Sequence, residues 1–89
     1  MKSHTKQLRI AYTKSQYICS MILARYLKTH DKAAADTSLL HYYEMVVNVE
    51  RDLGNATLTP TARNYLEDMY NLYTSTSEAI ANINDREGV

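Results

Sequence analysis

The scarcity of residues that break helices is the feature of this 89-residue sequence that most limits its fold. Two glycines, Gly54 and Gly88, and one proline, Pro60, are the only such residues in the chain. Long segments therefore run without a residue that would end a helix. Apolar and polar residues nowhere alternate with the period of two that a β-strand requires, so the sequence predicts an all-α fold.

Amphipathic spacing predicts a first helix over residues 5–29 and a third helix from Pro60 to about residue 82. Thr59 precedes the third helix and supplies a hydroxyl that can cap it. Pro60 occupies the first helical position, where its missing N–H group costs nothing. The residues from about 84 onward are polar and predict a frayed tail.

The second predicted helix has a definite end and an ambiguous start. Gly54 follows Leu53 and is the residue expected where a chain leaves a helix through a positive φ. Asp36 is the predicted N-terminal cap, although Asp31 could also cap an earlier start. Apolar residues cover more than half of the circumference of this helix, which places it between two neighbours.

The predicted helices are joined by short connections, which favour antiparallel neighbours. The chain is too short for two hydrophobic cores, so we expect a single domain over residues 1–89. The predicted architecture is a small antiparallel bundle of three helices, or of four if the first helix is broken near Ser15-Gln16.

Charge is divided unevenly along a chain whose net charge is zero. Residues 1–32 contain seven Lys or Arg and one acidic residue, Asp31, so the remainder carries the opposite excess. The side of the first helix that faces the core is predicted to hold Leu8, Ala11, Tyr12, Ile18, Cys19, Ile22, Leu23 and Tyr26. Its other side is basic and is interrupted by apolar residues, and it supplies the candidate binding residues Lys14, Tyr17, Met21, Arg25 and Lys28.

Several interpretations of this mixed basic and apolar side are open. It could be solvated, dock on the acidic helices of the same chain or of a second copy, bind a protein, or bind nucleic acid or an anionic membrane. The zero net charge counts against nucleic acid, because domains that bind it are usually basic. Glu50 falls among apolar residues of the second helix, so it must either pair, most simply with the basic first helix, or reach out to solvent.

The length of the first helix bears on oligomeric state. At about 1.5 Å per residue it extends roughly 37 Å, which is longer than the second helix can cover. We therefore expect the uncovered start of the first helix, with Leu8, Ile10 and Tyr12, to pair with another copy in a homodimer.

Catalytic and metal-binding patterns are missing from the sequence. The histidines His4, His30 and His41 have no evident nucleophile or orienting partner, and Cys19 lies on the core side, where a thiol is usually inert. His41 and Glu44 have the spacing of one metal-binding pair, whereas sites in helical bundles need several pairs. The sequence therefore predicts a protein that is not an enzyme and that binds no cofactor or metal.

A single cysteine cannot form an internal disulfide, which is typical of a reducing compartment. The apolar run from Tyr17 to Ala24 is bracketed by Lys14 and Arg25, unlike the uninterrupted apolar stretch of a signal peptide, and it is too short for a transmembrane helix. We therefore predict a cytoplasmic protein with no transmembrane segment.

The second half of the chain shows a pattern of its own. An apolar helix ends at residues 49–53, a short loop follows, and Leu58-Thr59-Pro60 opens an amphipathic helix that contains Leu66, Met69, Leu72 and Tyr73. This arrangement resembles the C-terminal half of the cytosolic immunity proteins that protect producers of class II (pediocin-like, enterocin A-type) bacteriocins. Those proteins are typically four-helix bundles, which departs from the three segments found here.

The resemblance implies a function and a site. It implies a non-enzymatic protein that engages a membrane sugar-permease receptor, with its bound bacteriocin, from the cytoplasmic side. It places recognition on the loop from Gly54 to Thr59 and on the exposed side of the third helix, with Asn55, Arg63 and Glu67 as candidates.

Two classes of function follow from the sequence. The first is a non-enzymatic protein-binding module, in its most specific form a bacteriocin immunity protein, with a small phage or mobile-element inhibitor as the alternative. The second is a dimeric nucleic-acid-binding regulator that places the basic first helix on phosphates.

Overall fold

Three helices account for nearly all of the chain in a computed structural model that describes residues 4–54 and 58–88. Helix α1 spans His4–Thr29, α2 spans Lys32–Leu53 and α3 spans Pro60–Glu87. The all-α prediction is confirmed, and no strand occurs in the described ranges. Helix α1 continues unbroken through Ser15 and Gln16, so the bundle has three helices and not four.

The start of α2 lies earlier than the predicted cap at Asp36. The Asp31 carboxylate accepts a hydrogen bond from the Ala34 N–H at 3.1 Å, which satisfies one of the free donors of the first turn. Asp36 instead lies inside the helix, where its Oδ2 contacts Lys32 Nζ at 2.7 Å, one turn away. Of the two caps considered from the sequence, Asp31 is the one that caps α2.

Helix α3 begins as predicted and ends later than predicted. The Thr59 hydroxyl accepts from the Ala62 N–H at 3.1 Å, and Pro60 occupies the first helical position. At the other end the helix continues through the expected tail to Glu87, because the Glu87 carboxylate contacts Tyr26 and His30 and holds the last turn against the bundle.

Helices α1 and α3 run parallel to each other, and α2 runs antiparallel to both. The hydroxyl oxygens of Thr5 and Thr59 lie 3.1 Å apart at one end of the bundle, and Tyr26 contacts Glu87 at the other. The result is a narrow rod with extents of 52 × 17 × 16 Å. Helix α3 is longer than α2, with 28 residues against 22, and packs against the start of α1, where the rings of Tyr12 and Tyr65 meet.

The packing of α3 against the start of α1 bears on the prediction that this end pairs with a second copy. Leu8 is fully buried, and the ring of Tyr12 lies 5.8 Å from that of Tyr65 on α3. Of the three residues predicted to meet a second copy, two therefore pack within the same chain, and Ile10 remains about half exposed.

The core is divided into two clusters. The large cluster is formed by Leu8, Cys19, Tyr42, Val46, Ala62, Leu66 and Met69. The small cluster lies at the turn between α1 and α2 and is formed by Tyr26, Ala35, Leu39 and Ile80. Tyr73 packs against both clusters.

Buried polar groups accompany the large cluster. Ser15 is fully buried and donates to the Ala11 carbonyl at 2.8 Å, while the Tyr42 hydroxyl donates to the Met69 carbonyl at 3.0 Å. Burial raises the pKa of Tyr42 to about 12, and a hydrogen bond with Ser15 lowers it in part. Tyr42 lies in the predicted apolar arc of α2. Ser15 was not predicted as a core residue, although its spacing of seven residues from both Leu8 and Ile22 places it on the core side of α1.

Candidate binding surface

The outward side of α1 carries a line of exposed side chains that we call the α1 surface: Ile10, Lys14, Tyr17, Met21, Arg25 and Lys28. Spacings of three, four and seven residues place them along one line of a helix. Tyr17 is 68% exposed, the most exposed of the large hydrophobic residues that the structure describes, and Ile10 and Met21 are each about half exposed. All five α1 residues predicted from the sequence to bind a partner therefore share one surface.

The charged side chains of the α1 surface are all basic. Helix α1 contains no acidic residue. Among the described residues the ion pairs are His30 with Glu87 and Lys32 with Asp36, and neither uses a basic side chain of α1. Within that part of the chain, the basic side of α1 forms no ion pair with the acidic helices of the same chain, whereas its docking on a second copy stays a prediction.

Glu50 is exposed to solvent, which is one of the two predicted alternatives, and it forms no ion pair with α1 among the described residues. Its Oε2 instead accepts a hydrogen bond from the Tyr70 hydroxyl of α3 at 3.2 Å. Burial is the main cause that raises the pKa of Tyr70, and the nearby Glu50 charge raises it further. Pairing with α1 does not occur because the apolar arc of α2 faces α3 as well as α1, and the Tyr70 hydroxyl of α3 meets the carboxylate.

A groove lies beside the α1 surface, between α1 and the first turns of α2. It has a volume of about 110 Å³ and is lined by Met21, Ile22, Arg25, Tyr26, Thr29, Asp31, Ala34, Ala35 and Ser38. Met21 and Arg25 belong to both the groove and the α1 surface. Sequence reasoning missed the α2 side of this groove, although the run Ala33-Ala34-Ala35 signals a place where α2 has little side-chain volume.

The second predicted site, at the turn before α3, is only partly visible. Asn55 lies outside the described residues. Arg63 and Glu67 are exposed on α3, one turn apart, without an ion pair between them. The structure places these two residues on α3 and the other five described candidates on α1.

Side chains that could take part in catalysis or metal binding are dispersed or buried. Burial raises the pKa of the Cys19 thiol, and a hydrogen bond with Thr76 lowers it in part, so the thiolate is disfavoured. His41 and Glu44 are exposed on α2. Residues 4–54 and 58–88 contain no group of three His, Cys, Asp or Glu side chains that could hold a metal ion.

One polar cluster at the end of the bundle was not predicted. His30 Nδ1 lies 2.7 Å from Glu87 Oε1, and the Tyr26 hydroxyl donates to Glu87 Oε2 at 3.2 Å. His30 follows the last residue of α1 with a positive φ of 56°, and its N–H donates to the Tyr26 carbonyl at 2.7 Å. The cluster joins the turn after α1 to the last turn of α3, which is a structural role.

Comparison with known proteins gives no further guide. No protein-family model, curated protein or solved structure matches the chain significantly. None of the helices, as far as the structure describes them, is long and apolar enough to cross a membrane.

Proposed function

We propose that this chain is a non-enzymatic protein-binding module and that the α1 surface is its contact surface. The observation that carries the proposal is the exposure of Tyr17 on a helix face where Lys14, Arg25 and Lys28 have no acidic partner among the described residues. Exposed tyrosine and arginine dominate the binding energy of many protein interfaces. A bundle whose own core is complete does not need them for folding.

A protein partner explains the mixture of side chains better than a nucleic acid does. Ile10, Tyr17 and Met21 interrupt the basic residues along the whole face, and the net charge of the chain is zero. A surface that binds phosphates gains chiefly from Lys and Arg and is usually part of a basic domain. The partner should therefore present apolar side chains together with acidic ones.

Photocrosslinking in cells that naturally make the protein tests this proposal. A photoreactive phenylalanine analogue replaces Tyr17 on the α1 surface, and in a matched control it replaces Asn71, which is exposed on α3. We expect a discrete protein adduct from position 17, none from position 71, and loss of the adduct when Lys14→Glu and Lys28→Glu are added. Equal adducts at both positions, or none at position 17, would refute the proposal, and an adduct removed by nuclease would support the regulator instead.

Bacteriocin immunity is the most specific form of the proposal. It rests on the resemblance of residues 39–73 and requires the second surface, with Arg63 and Glu67, to take part in recognition. Expression in sensitive cells should raise the dose of a pediocin-like bacteriocin needed to kill them, and Arg63→Glu should reduce that protection. An unchanged dose across a panel of such bacteriocins would exclude immunity and leave an inhibitor of another protein target.

A further inference from the structure

The groove between α1 and α2 exists because one of its walls is built from small side chains. Ala34, Ala35 and Ser38 of α2 face Met21 and Ile22 of α1 across it. Ala35 is buried in the small cluster, whereas Ala34 is exposed. Larger residues at these positions would close the space, so the fold leaves an open recess at the edge of its own core.

Apolar and polar residues both line the groove, and the polar ones besides Tyr26 are Arg25, Thr29, Asp31 and Ser38. Two of these four have partners: the Asp31 carboxylate accepts from the Ala34 N–H at 3.1 Å, and the Thr29 hydroxyl donates to the Arg25 carbonyl at 2.9 Å. The guanidinium of Arg25 has no acidic partner within residues 4–54 and 58–88. Among the described residues of the lining, Arg25 is the one cation, and the one anion, Asp31, is already hydrogen-bonded to the first turn of α2. An apolar recess beside such a cation is the composition of a site that binds an apolar group next to an anion.

We propose that this groove receives a leucine-sized apolar side chain of the protein partner, with an Asp or Glu of the partner one helical turn away against Arg25. The inference rests on the proposed function and deepens it. A dry cavity of about 150 Å³ holds a benzene ring, so a groove of about 110 Å³ suits a branched aliphatic side chain. Met21 and Arg25 belong to both the groove and the α1 surface. A helix of the partner that is anchored in the groove therefore continues along the α1 surface over Lys14 and Tyr17.

A second copy of the chain is a poorer occupant. Leu40 and Glu44 have the required chemistry, since both are exposed and lie one turn apart on α2. They lie about 120° around α2 from Ala34 and Ser38, so the face of a copy that offers the groove does not also offer its occupant. A contact between copies would then be heterologous, which builds either a closed ring or an open filament. The unpaired basic charge of α1 is matched better by an acidic partner.

Selection of peptides against the full chain tests the inference. Twelve-residue peptides displayed on phage are the probe, and we expect enrichment of Leu, Ile or Met with an Asp or Glu three or four residues away. The enriched peptide, made synthetically and labelled, is then titrated against the wild type by fluorescence anisotropy. Enrichment of basic or uncharged peptides would overturn the inference.

Leucine substitutions at two neighbouring alanines test whether the groove itself is needed for binding. Ala34→Leu fills the groove, whereas Ala33→Leu adds the same side chain at a neighbouring exposed position that does not line it. Loss of one buried leucine-sized contact weakens binding by about tenfold or more. We expect that loss for Ala34→Leu and for Ser38→Leu, which fills the groove from a second position, and a change of less than about twofold for Ala33→Leu. Equal affinities in Ala33→Leu and Ala34→Leu, at matched melting temperatures, would overturn the inference.

The charge part of the inference has its own test. Arg25→Gln should weaken the peptide by roughly two- to fivefold, and the difference from the wild type should shrink as salt is raised, because the ion pair is exposed. An effect of Arg25→Gln that does not change with salt would contradict pairing with an acidic residue.

The failure of this inference can be distinguished from the failure of the proposed function. The crosslink from position 17 is repeated in the Ala34→Leu background. If the adduct persists there, the α1 surface binds its partner without the groove, and the groove inference is wrong while the proposed function stands. If the adduct forms in the wild type and is lost in Ala34→Leu but not in Ala33→Leu, both are supported.

Discussion

His30 Nδ1 lies 2.7 Å from Glu87 Oε1, and this contact joins the turn after α1 to the last turn of α3 across 57 residues of sequence. The pair is partly solvated, with side-chain exposures of 57% and 37%, so its contribution to the free energy of unfolding is small. Its effect is local, because it holds a helix end whose sequence is polar.

Glu87→Gln should therefore loosen the end of α3 more than it lowers global stability. We expect a loss of no more than about 1 kcal/mol in the free energy of unfolding, together with faster amide exchange over residues 83–88. Glu78→Gln changes an exposed acid elsewhere on the same helix and is the control. Equal exchange at residues 83–88 in the two variants would show that the contact does not hold the last turn.

Gly54 should not tolerate a side chain, for a reason that lies in its backbone alone. It has a φ of 60° and a ψ of −147°, a conformation that is essentially restricted to glycine, and an added Cβ would meet no atom within 4 Å. Gly54→Ala should cost about 1 to 3 kcal/mol in the free energy of unfolding, measured by urea titration. Gly88→Ala is the control, because Gly88 has an ordinary φ of −77° and its substitution should change stability by less than about 0.5 kcal/mol.

Tyr42 should give the bundle a sensitivity to alkaline pH. Its pKa is raised from 10.0 to about 12 by burial, so between these values the unfolded chain loses the phenolic proton while the folded chain keeps it. Stability is therefore complete below pH 10 and falls as the pH rises towards 12. Tyr42→Phe should cost about 1 kcal/mol at pH 8, where it removes the hydrogen bond to Met69, and less at pH 11.

Urea unfolding of both proteins at the two pH values measures this difference. Tyr43→Phe is the matched control, because that ring is 38% exposed and its substitution should change stability little at either pH. A cost of Tyr42→Phe that is the same at pH 8 and pH 11 would contradict the prediction.

Tyr17 should matter for binding and not for folding. Tyr17→Ala should change the free energy of unfolding by less than about 0.5 kcal/mol, because the ring is 68% exposed. The same substitution should weaken the selected peptide, or the natural partner, by about tenfold or more. A large loss of stability, or unchanged binding, would show that the ring is part of the bundle and not of an interface.

Much of the fold could be predicted from the sequence because its signals are local. Thr59-Pro60 and Gly54 mark helix ends through the hydrogen bonds and φ values of single residues, and the structure confirms both. The continuation of α3 to Glu87 could not be predicted, because it depends on a contact with His30 that is distant in sequence. The start of α2 was ambiguous because Asp31 and Asp36 are equally good caps when considered alone.

The candidate site was predictable to a similar degree. Helical periodicity correctly placed Lys14, Tyr17 and Met21 on one exposed face, since exposure on a single helix follows from spacing. The groove beside them was missed because it requires the pairing of α1 with a particular turn of α2. The partner chosen by Glu50 was missed for the same reason.

The position of Tyr73 has a consequence for cooperativity. Because this ring packs against both clusters of the core, it couples the opening of one half of the rod to the opening of the other. Tyr73→Ala should therefore do more than lower the melting temperature: native-state hydrogen exchange should separate into two groups of amides, with those around Tyr26 and Leu39 opening at a lower free energy than those around Val46 and Leu66. The bundle would then behave as two folding units that share three helices.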